Sequence, residues 1–392
     1  MIKSAAVSPL SADVVAVFVA KSARTFCYGF LGIVLPVYLT TLGMSVAGVG
    51  VAITLTLAGS AVLTWAIRWP AERLGPRAPL LTLTALSAAS ALMLLGFVSA
   101  PLVVLAAVVG NIAVGTGETG PFLTIEQVVI ARAVSAGRRT HVLGLYNFLG
   151  YAAGALGAGA IGLAPGYRAL FVVFLAAAVV QAVAYSRLRI GPSPARAAHG
   201  AASSAPLIRR FAALFALDSF AGGFVVQSLV SYYLYQRYHL SLEALGLVFG
   251  VAQVLTAMSI LLTARVAARF GLLATMVVSH LISNVFLIGV AFAPTAAIAI
   301  ALIFLRQLLS QMDVPTRQAY VMAVVADHER EAAAALPNLA RTVAQAITPA
   351  LTGVVMQSVA LSAPFVLGGT LKIVYDVLIW LTFRNVRLRD EA

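Results

Sequence analysis

The sequence predicts an all-α polytopic membrane protein, with twelve transmembrane helices in two pseudo-symmetric six-helix bundles. Three observations carry the prediction: an apolar composition, apolar runs long enough to span lipid, and a repeat relating the two halves of the chain. Of the 392 residues, 61% are aliphatic, aromatic, Met or Cys and 10% are charged, against about 25% charged in a soluble domain. Such a chain cannot cover a water-facing surface. Open sheets leave backbone groups unpaired in lipid, and barrel strands alternate polar and apolar over ~10 residues. The runs here are continuous and reach the ~20 residues a helix needs to cross the hydrocarbon core, so they read as helices.

Helices are expected near 12–40, 46–67, 79–98, 101–131, 140–163, 167–186, 207–236, 243–264, 272–293, 295–325, 332–358 and 363–383. Lys21 and Arg24 interrupt the first apolar run, which continues to Leu42. That is not a cleavable signal pattern, so the first helix is expected to be retained. The fourth helix carries Glu118 and Glu126, the seventh Asp218, and the tenth Arg306, Asp313 and Arg317. His280 and Asn284 in the ninth helix are four apart and read as interhelical hydrogen-bonding groups. Lys372 and Asp376 in the twelfth are also four apart and share a face, which predicts a local ion pair, aided by Arg341 of the eleventh. The stretch 187–206 is rich in Pro, Ser, Gly and Ala. It reads as a linker and divides the chain into a bundle at 1–190, a cytoplasmic linker at 191–206 and a bundle at 207–392.

The net charge of +13 has a topological explanation. With the N-terminus inside, the inner connections and tails hold eighteen Lys and Arg residues, and the outer connections hold only Arg168 and Arg237. That asymmetry sets both termini in the cytoplasm and removes the case for nucleic-acid binding. Arg far outnumbers Lys in an Ala- and Gly-rich chain, the composition of a GC-rich bacterial genome; a bacterial inner membrane is the expected location. Cys27 is the single cysteine and the five His are scattered, so no disulfide, metal site or cofactor is expected. Gly115 to Gly120 spells a dinucleotide fingerprint, but it falls inside a membrane helix without the strand that motif needs.

The halves repeat. Glu72-Arg-Leu-Gly75 follows the second helix, and Ala268-Arg-Phe-Gly271 follows the eighth, 196 positions later; Gly50 matches Gly246 at the same offset. Asn147 and Asn338, Gly162 and Gly353, and Gln127 and Gln318 match at 191. Parallel halves related by an axis along the membrane normal are a transporter architecture.

The run Glu72-Arg73-Leu74-Gly75-Pro76-Arg77 resembles the loop signature of the major facilitator superfamily, an acid-Arg-x-Gly-Arg-basic run between helices two and three. Glu stands for the usual Asp, and Pro76 for the inner Arg. Gly150, Gly154, Gly157 and Gly159 are similar to the glycine-rich fifth helix of that superfamily's proton-linked antiporters, without its Gly-Pro pair. The resemblance implies alternating access, a cavity lined by helices one, four, seven and ten, and a cytoplasmic gate loop at Glu72, Arg73 and Arg77. It also implies a small-molecule substrate and protons as partners, and a monomer among membrane lipids.

A charge at the bilayer centre costs ~2.5–3.5 kcal/mol on insertion scales and needs a partner or a wet cavity. Arg24, Glu118, Glu126, Asp218, Arg306, Asp313 and Arg317 all fall on the four helices expected to line the cavity. Arg24 aligns with Asp218 at offset 194, Glu126 with Arg317 at 191, and Glu118 with Asp313 at 195. Two arrangements follow: Arg24–Glu126 with Asp218–Arg317, or pairs across the halves. Arg306 is expected to meet an anionic group or to offset Asp313. The set reads as a substrate and proton pathway, against a static ion-pair network. Proton-coupled efflux of small or amphipathic compounds is the first expectation. Import of a small organic ion and lipid flipping are the alternatives. No nucleophile–base pair points to an enzyme.

Overall fold

The computed structural model describes residues 10–113, 120–191, 205–324 and 330–385. It is helical, and no strand occurs among the described residues. The helices are α1 (Ala12–Thr41), α2 (Val46–Ala66), α3 (Arg68–Leu74), α4 (Arg77–Gly96), α5 (Ala100–Val109), α6 (Pro121–Ala133), α7 (Ala136–Gly159) and α8 (Tyr167–Ser186), followed by α9 (Ala205–Gly223), α10 (Gln227–Tyr238), α11 (Leu242–Phe270), α12 (Leu272–Ala291), α13 (Ala296–Ser310), α14 (Asp313–Val324), α15 (Arg330–Ser358) and α16 (Ala363–Phe383). Together they make the twelve-span, two-bundle fold. Ser11, Ser45 and Ser241 cap α1, α2 and α11 by accepting from the backbone N–H three residues on, where a helix has donors to spare. The lipid-facing sides are apolar, with Val62, Trp65, Val183 and Leu261 exposed. Most of the expected linker, 192–204, lies outside the described residues.

Three spans expected as continuous helices are broken. The fourth runs as α5 and α6, and α5 ends at Gly110 with Asn111 in a left-handed conformation, φ 50°. The seventh breaks after Gly222 and Gly223, where 3₁₀-type bonds from Phe224 and Val225 tighten the chain. The tenth breaks at Gln311 and Met312, because Pro315 has no N–H to return to the carbonyl of Gln311. Irregular backbone at membrane depth persists only where it is buried or faces a wet cavity, and the Tyr28 hydroxyl donates to the freed Asn111 carbonyl at 2.9 Å.

The repeat has a backbone counterpart. Gly75 and Gly271, equivalent by sequence, have φ of +80° and +82°, a region in which a side chain would clash. Each ends its helix by the same turn.

Packing places the bundles relative to each other. Near the chain termini each bundle has its own apolar core, one built on Val14, Val17, Phe18, Phe122 and Tyr185, the other on Ile208, Phe211, Phe215, Tyr320 and Phe383. Farther along the helices a single core runs through both, from Cys27, Phe30 and Val34 to Phe224, Leu229 and Phe249. The contacts between bundles gather at that far end: α1 on α10, α2 on α15 and α7 on α11. Ser228 donates to the Gly32 carbonyl at 2.7 Å, the Ala350 N–H to Thr54 Oγ1 at 2.9 Å and the Ala47 N–H to Gln357 Oε1 at 3.1 Å. Among the described residues, the bundles meet away from the termini and have separate cores beside them.

Candidate functional site

Arg24 stands on α1 between the bundle's own core and the shared core, and Asp218 occupies the same position on α9. Both lie at the level where the shared core gives way to the two separate cores. Each is the centre of a buried charge cluster.

In the first bundle, Arg24 of α1 holds Glu126 of α6 in a two-pronged pair, Nη2 to Oε2 at 2.6 Å and Nη1 to Oε1 at 3.2 Å. The planar guanidinium matches both carboxylate oxygens, which a point-charge ammonium cannot do. Tyr146 of α7 donates to Oε2 at 2.6 Å and Tyr185 of α8 to Oε1 at 2.5 Å. Arg24 also donates to the Tyr185 hydroxyl at 2.7 Å. Four helices are thus joined at one carboxylate that is fully shielded from solvent. Phe122 lies under the Arg24 guanidinium at 4.3 Å, and the Lys21 ammonium lies over the Tyr146 ring at 4.4 Å.

In the second bundle, Asp218 accepts from Lys372 of α16 at 2.6 Å through Oδ1 and from Arg317 of α14 at 3.2 Å through Oδ2. Arg317 also pairs with Asp313 on its own helix at 3.0 Å. His280 of α12 lies between two carboxylates, with Nδ1 2.7 Å from Asp376 Oδ1 and Nε2 3.7 Å from Asp218 Oδ1. Asn284 donates to Asp376 Oδ2 at 3.0 Å. Arg341 of α15 donates to Ser219 at 3.0 Å, adjacent to Asp218.

Of the residues singled out in the sequence, Arg24 and Glu126 meet within one bundle, as do Asp218 and Arg317; those pairs do not form across the bundles. Two expectations are corrected. Lys372 and Asp376 do not pair along their helix: Lys372 reaches α9, and Asp376 faces His280 and Asn284. Arg341 joins neither; it bonds Ser219. Arg306 donates to Gln307 at 2.7 Å, while Asp313 has Arg317. In the loop, Arg73 lies 4.3 Å over Trp69, and Arg77 is the exposed first residue of α4. Glu118, the rest of the Gly115–Gly120 run up to Thr119, and the side chains of Glu72, Gln318 and Asn338 lie outside the described residues. Among those described, no group of three His, Cys, Asp or Glu has metal-binding geometry.

Sequence reasoning missed Tyr185 and did not place Lys372, His280 and Asp376 around Asp218. The signal was in the repeat: Tyr185 matches Asp376, and Gln181 matches Lys372, at the same offset of 191 that relates Glu126 to Arg317. Spans six and twelve therefore contribute to the clusters alongside the expected cavity helices.

The family model described as Major Facilitator Superfamily matches residues 17–305 and 211–391. An uncharacterized membrane protein of Saccharomyces cerevisiae is 22% identical over 425 residues, spanning 96% of this chain and 95% of that protein. Among solved structures, the nucleoside transporter NupG has a TM-score of 0.73 at 12% identity, covering 95% of this chain and 99% of its own. A D-xylose–proton symporter has 0.72 at 14%, covering 94% and 97%. A bacterial homolog of the human lysosomal transporter Spinster, in an inward-facing and occupied conformation, has 0.72 at 14%, covering 95% and 96%. At these identities the structural likeness shows a common fold.

Proposed function

This chain belongs to the Major Facilitator Superfamily, and from that membership we propose a proton-coupled secondary transporter that exports small or amphipathic organic compounds by alternating access. Transport, not catalysis, is the work of this fold, with the solute site between parallel bundles. The observation that carries the coupling is the matched pair of buried carboxylates, Glu126 and Asp218, each held by an Arg from another helix of its bundle. Parting such a pair leaves a carboxylate without its cation in a low-dielectric setting, the condition that favours taking up a proton. Because each pair lies within one bundle, movement of helices inside that bundle during the cycle supplies the parting. The positive-inside distribution puts the termini and the end with separate cores on the cytoplasmic side, so this conformation faces inward, in a bacterial inner membrane. The bundles join through 191–206, and Glu72, Arg73 and Arg77 act at the cytoplasmic gate.

Export draws support from α7, whose glycines resemble those of proton-linked antiporters; two of them, Gly154 and Gly157, meet the backbone of α1. A second reading, proton-coupled import of a small organic anion, draws on the partly exposed Arg306 and Arg341.

The test is flux in proteoliposomes under an imposed pH gradient, screened over cationic, anionic and neutral solutes. Gradient-dependent flux is expected, and Glu126→Gln with Asp218→Asn abolishes it. Its direction relative to the proton gradient separates export from import. Full transport by the double variant with unchanged pH dependence, or a panel that moves neither solute nor protons, overturns the reading.

A further inference from the structure

We propose that His280 is a proton-binding site whose second proton takes Asp218 Oδ1 away from Lys372. The idea rests on the coupling reading above and locates a coupling proton off the four cavity spans, on α12.

The geometry sets up a competition for one oxygen atom. A neutral imidazole has one N–H, and the 2.7 Å approach of Nδ1 to Asp376 Oδ1 requires a proton between two acceptors; we place it on Nδ1, with Asp376 ionised and the Asn284 amide 3.3 Å from the same nitrogen. Asn284 donates to the other oxygen of Asp376 and holds that carboxylate in place. The Nε2 lone pair then faces Asp218 Oδ1 at 3.7 Å, too far for a hydrogen bond. Lys372 holds that same Oδ1 at 2.6 Å. Adding a proton to Nε2 turns an acceptor facing an acceptor into a donor, and the ring and the ammonium then compete for Oδ1. The structure shows the state in which Lys372 has it.

The charges around the ring keep the choice close. They are Asp218 from α9, Asp313 and Arg317 from α14, Arg341 from α15, and Lys372 and Asp376 from α16. That is three cations and three carboxylates with the ring neutral. Tyr375 meets the ring edge-on at 5.8 Å. Arg306 of α13 donates to Gln307 and adds a fourth cation within electrostatic reach of Asp218 and Asp313, and the buried residues of α11 include no titratable group. Because α9 packs on α15 and α16, loosening Lys372 frees the span that carries Asp218. The proton's arrival is thereby tied to helix movement.

The experiment reads the ring directly and needs no cargo. Full-length protein labelled with ¹⁵N-histidine is placed in nanodiscs and followed by NMR from about pH 5 to 9, the range in which imidazoles titrate. The chain has five His, and His280→Gln identifies the resonance. The expected result is a neutral ring protonated at Nδ1 at the alkaline end and an imidazolium at the acid end. In Lys372→Met, which keeps Arg317 on Asp218, the imidazolium persists to higher pH. A ring fixed in one form across the range, a neutral form protonated at Nε2, or a titration unmoved by Lys372→Met overturns the proposal. Flux failure and ring failure are separate results: a ring that titrates as expected stands without flux, and gradient-driven flux stands if the ring is inert.

Discussion

Lys372 crosses its bundle to donate to Asp218 at 2.6 Å and leaves Asp376, one helical turn along its own helix, to His280. The sharing is unequal: Asp218 is the only carboxylate Lys372 meets among the described ion pairs, whereas Asp218 keeps Arg317 if Lys372 is lost. Asp218→Asn therefore leaves two buried cations without their shared anion. Breaking a buried pair in this way costs about 3–5 kcal/mol. Lys372→Met costs less, and the double variant Asp218→Asn with Lys372→Met recovers part of the loss. Thermal unfolding in detergent gives the order. Equal losses for the two single variants would show that Arg317 does not hold Asp218.

The Glu126 cluster makes a similar test of hydrogen bonding. Tyr185→Phe removes the donor to Oε1 and an acceptor for Arg24 but leaves the two-pronged pair, so the loss is that of a buried polar group, about 1–3 kcal/mol. Arg24→Lys keeps the charge and loses the fork, and one ammonium cannot serve both oxygens. It is expected to lower the melting temperature more than Tyr185→Phe. A smaller effect would mean that the tyrosines, not the guanidinium, hold the carboxylate.

The fold was legible because lipid imposes a coarse rule, an apolar run of span length, and Lys and Arg mark one side of it. The pairs Arg24–Glu126 and Asp218–Arg317 were legible because the repeat aligns them. The local pair of Lys372 and Asp376 misled, since a shared helix face says which residues are neighbours and not which neighbour on another helix offers a better partner. The breaks at Asn111, at Gly222–Gly223 and before Pro315 were hidden for another reason. Hydropathy follows side chains, and a bend in the backbone leaves the apolar run intact.

The contact between bundles away from the termini offers a covalent test of alternating access. The Ala350 N–H reaches Thr54 Oγ1 at 2.9 Å across the α2–α15 contact, which puts the two backbones within disulfide reach. Thr54→Cys with Ala350→Cys is expected to cross-link under mild oxidant and to stop flux, and reductant restores it. Cys27 is buried and is the only native cysteine, so the background is low. Thiol protection measures the cross-link. Undiminished flux in fully cross-linked protein would show that this contact does not open during transport.

Three glycines of α7 separate helix propensity from helix contact. Gly to Ala in a helix stabilises by about 1 kcal/mol when nothing stands in the way. A Cβ at Gly144 meets nothing within 4 Å, so Gly144→Ala should raise stability by about that amount. At Gly150 the new carbon meets Lys21 Cε at 2.6 Å, the far end of a flexible chain that swings aside; the gain shrinks and Lys21 moves off the Tyr146 ring. At Gly157 it runs into the Phe26 carbonyl of α1. Backbone cannot move without prising α7 from α1, and overpacking of this kind costs about 1–3 kcal/mol. The same substitution should therefore stabilise, do little and destabilise at successive positions along one helix. Melting temperatures of the three variants check the order, and a uniform gain would mean that α1 and α7 do not touch as closely as the structure has them.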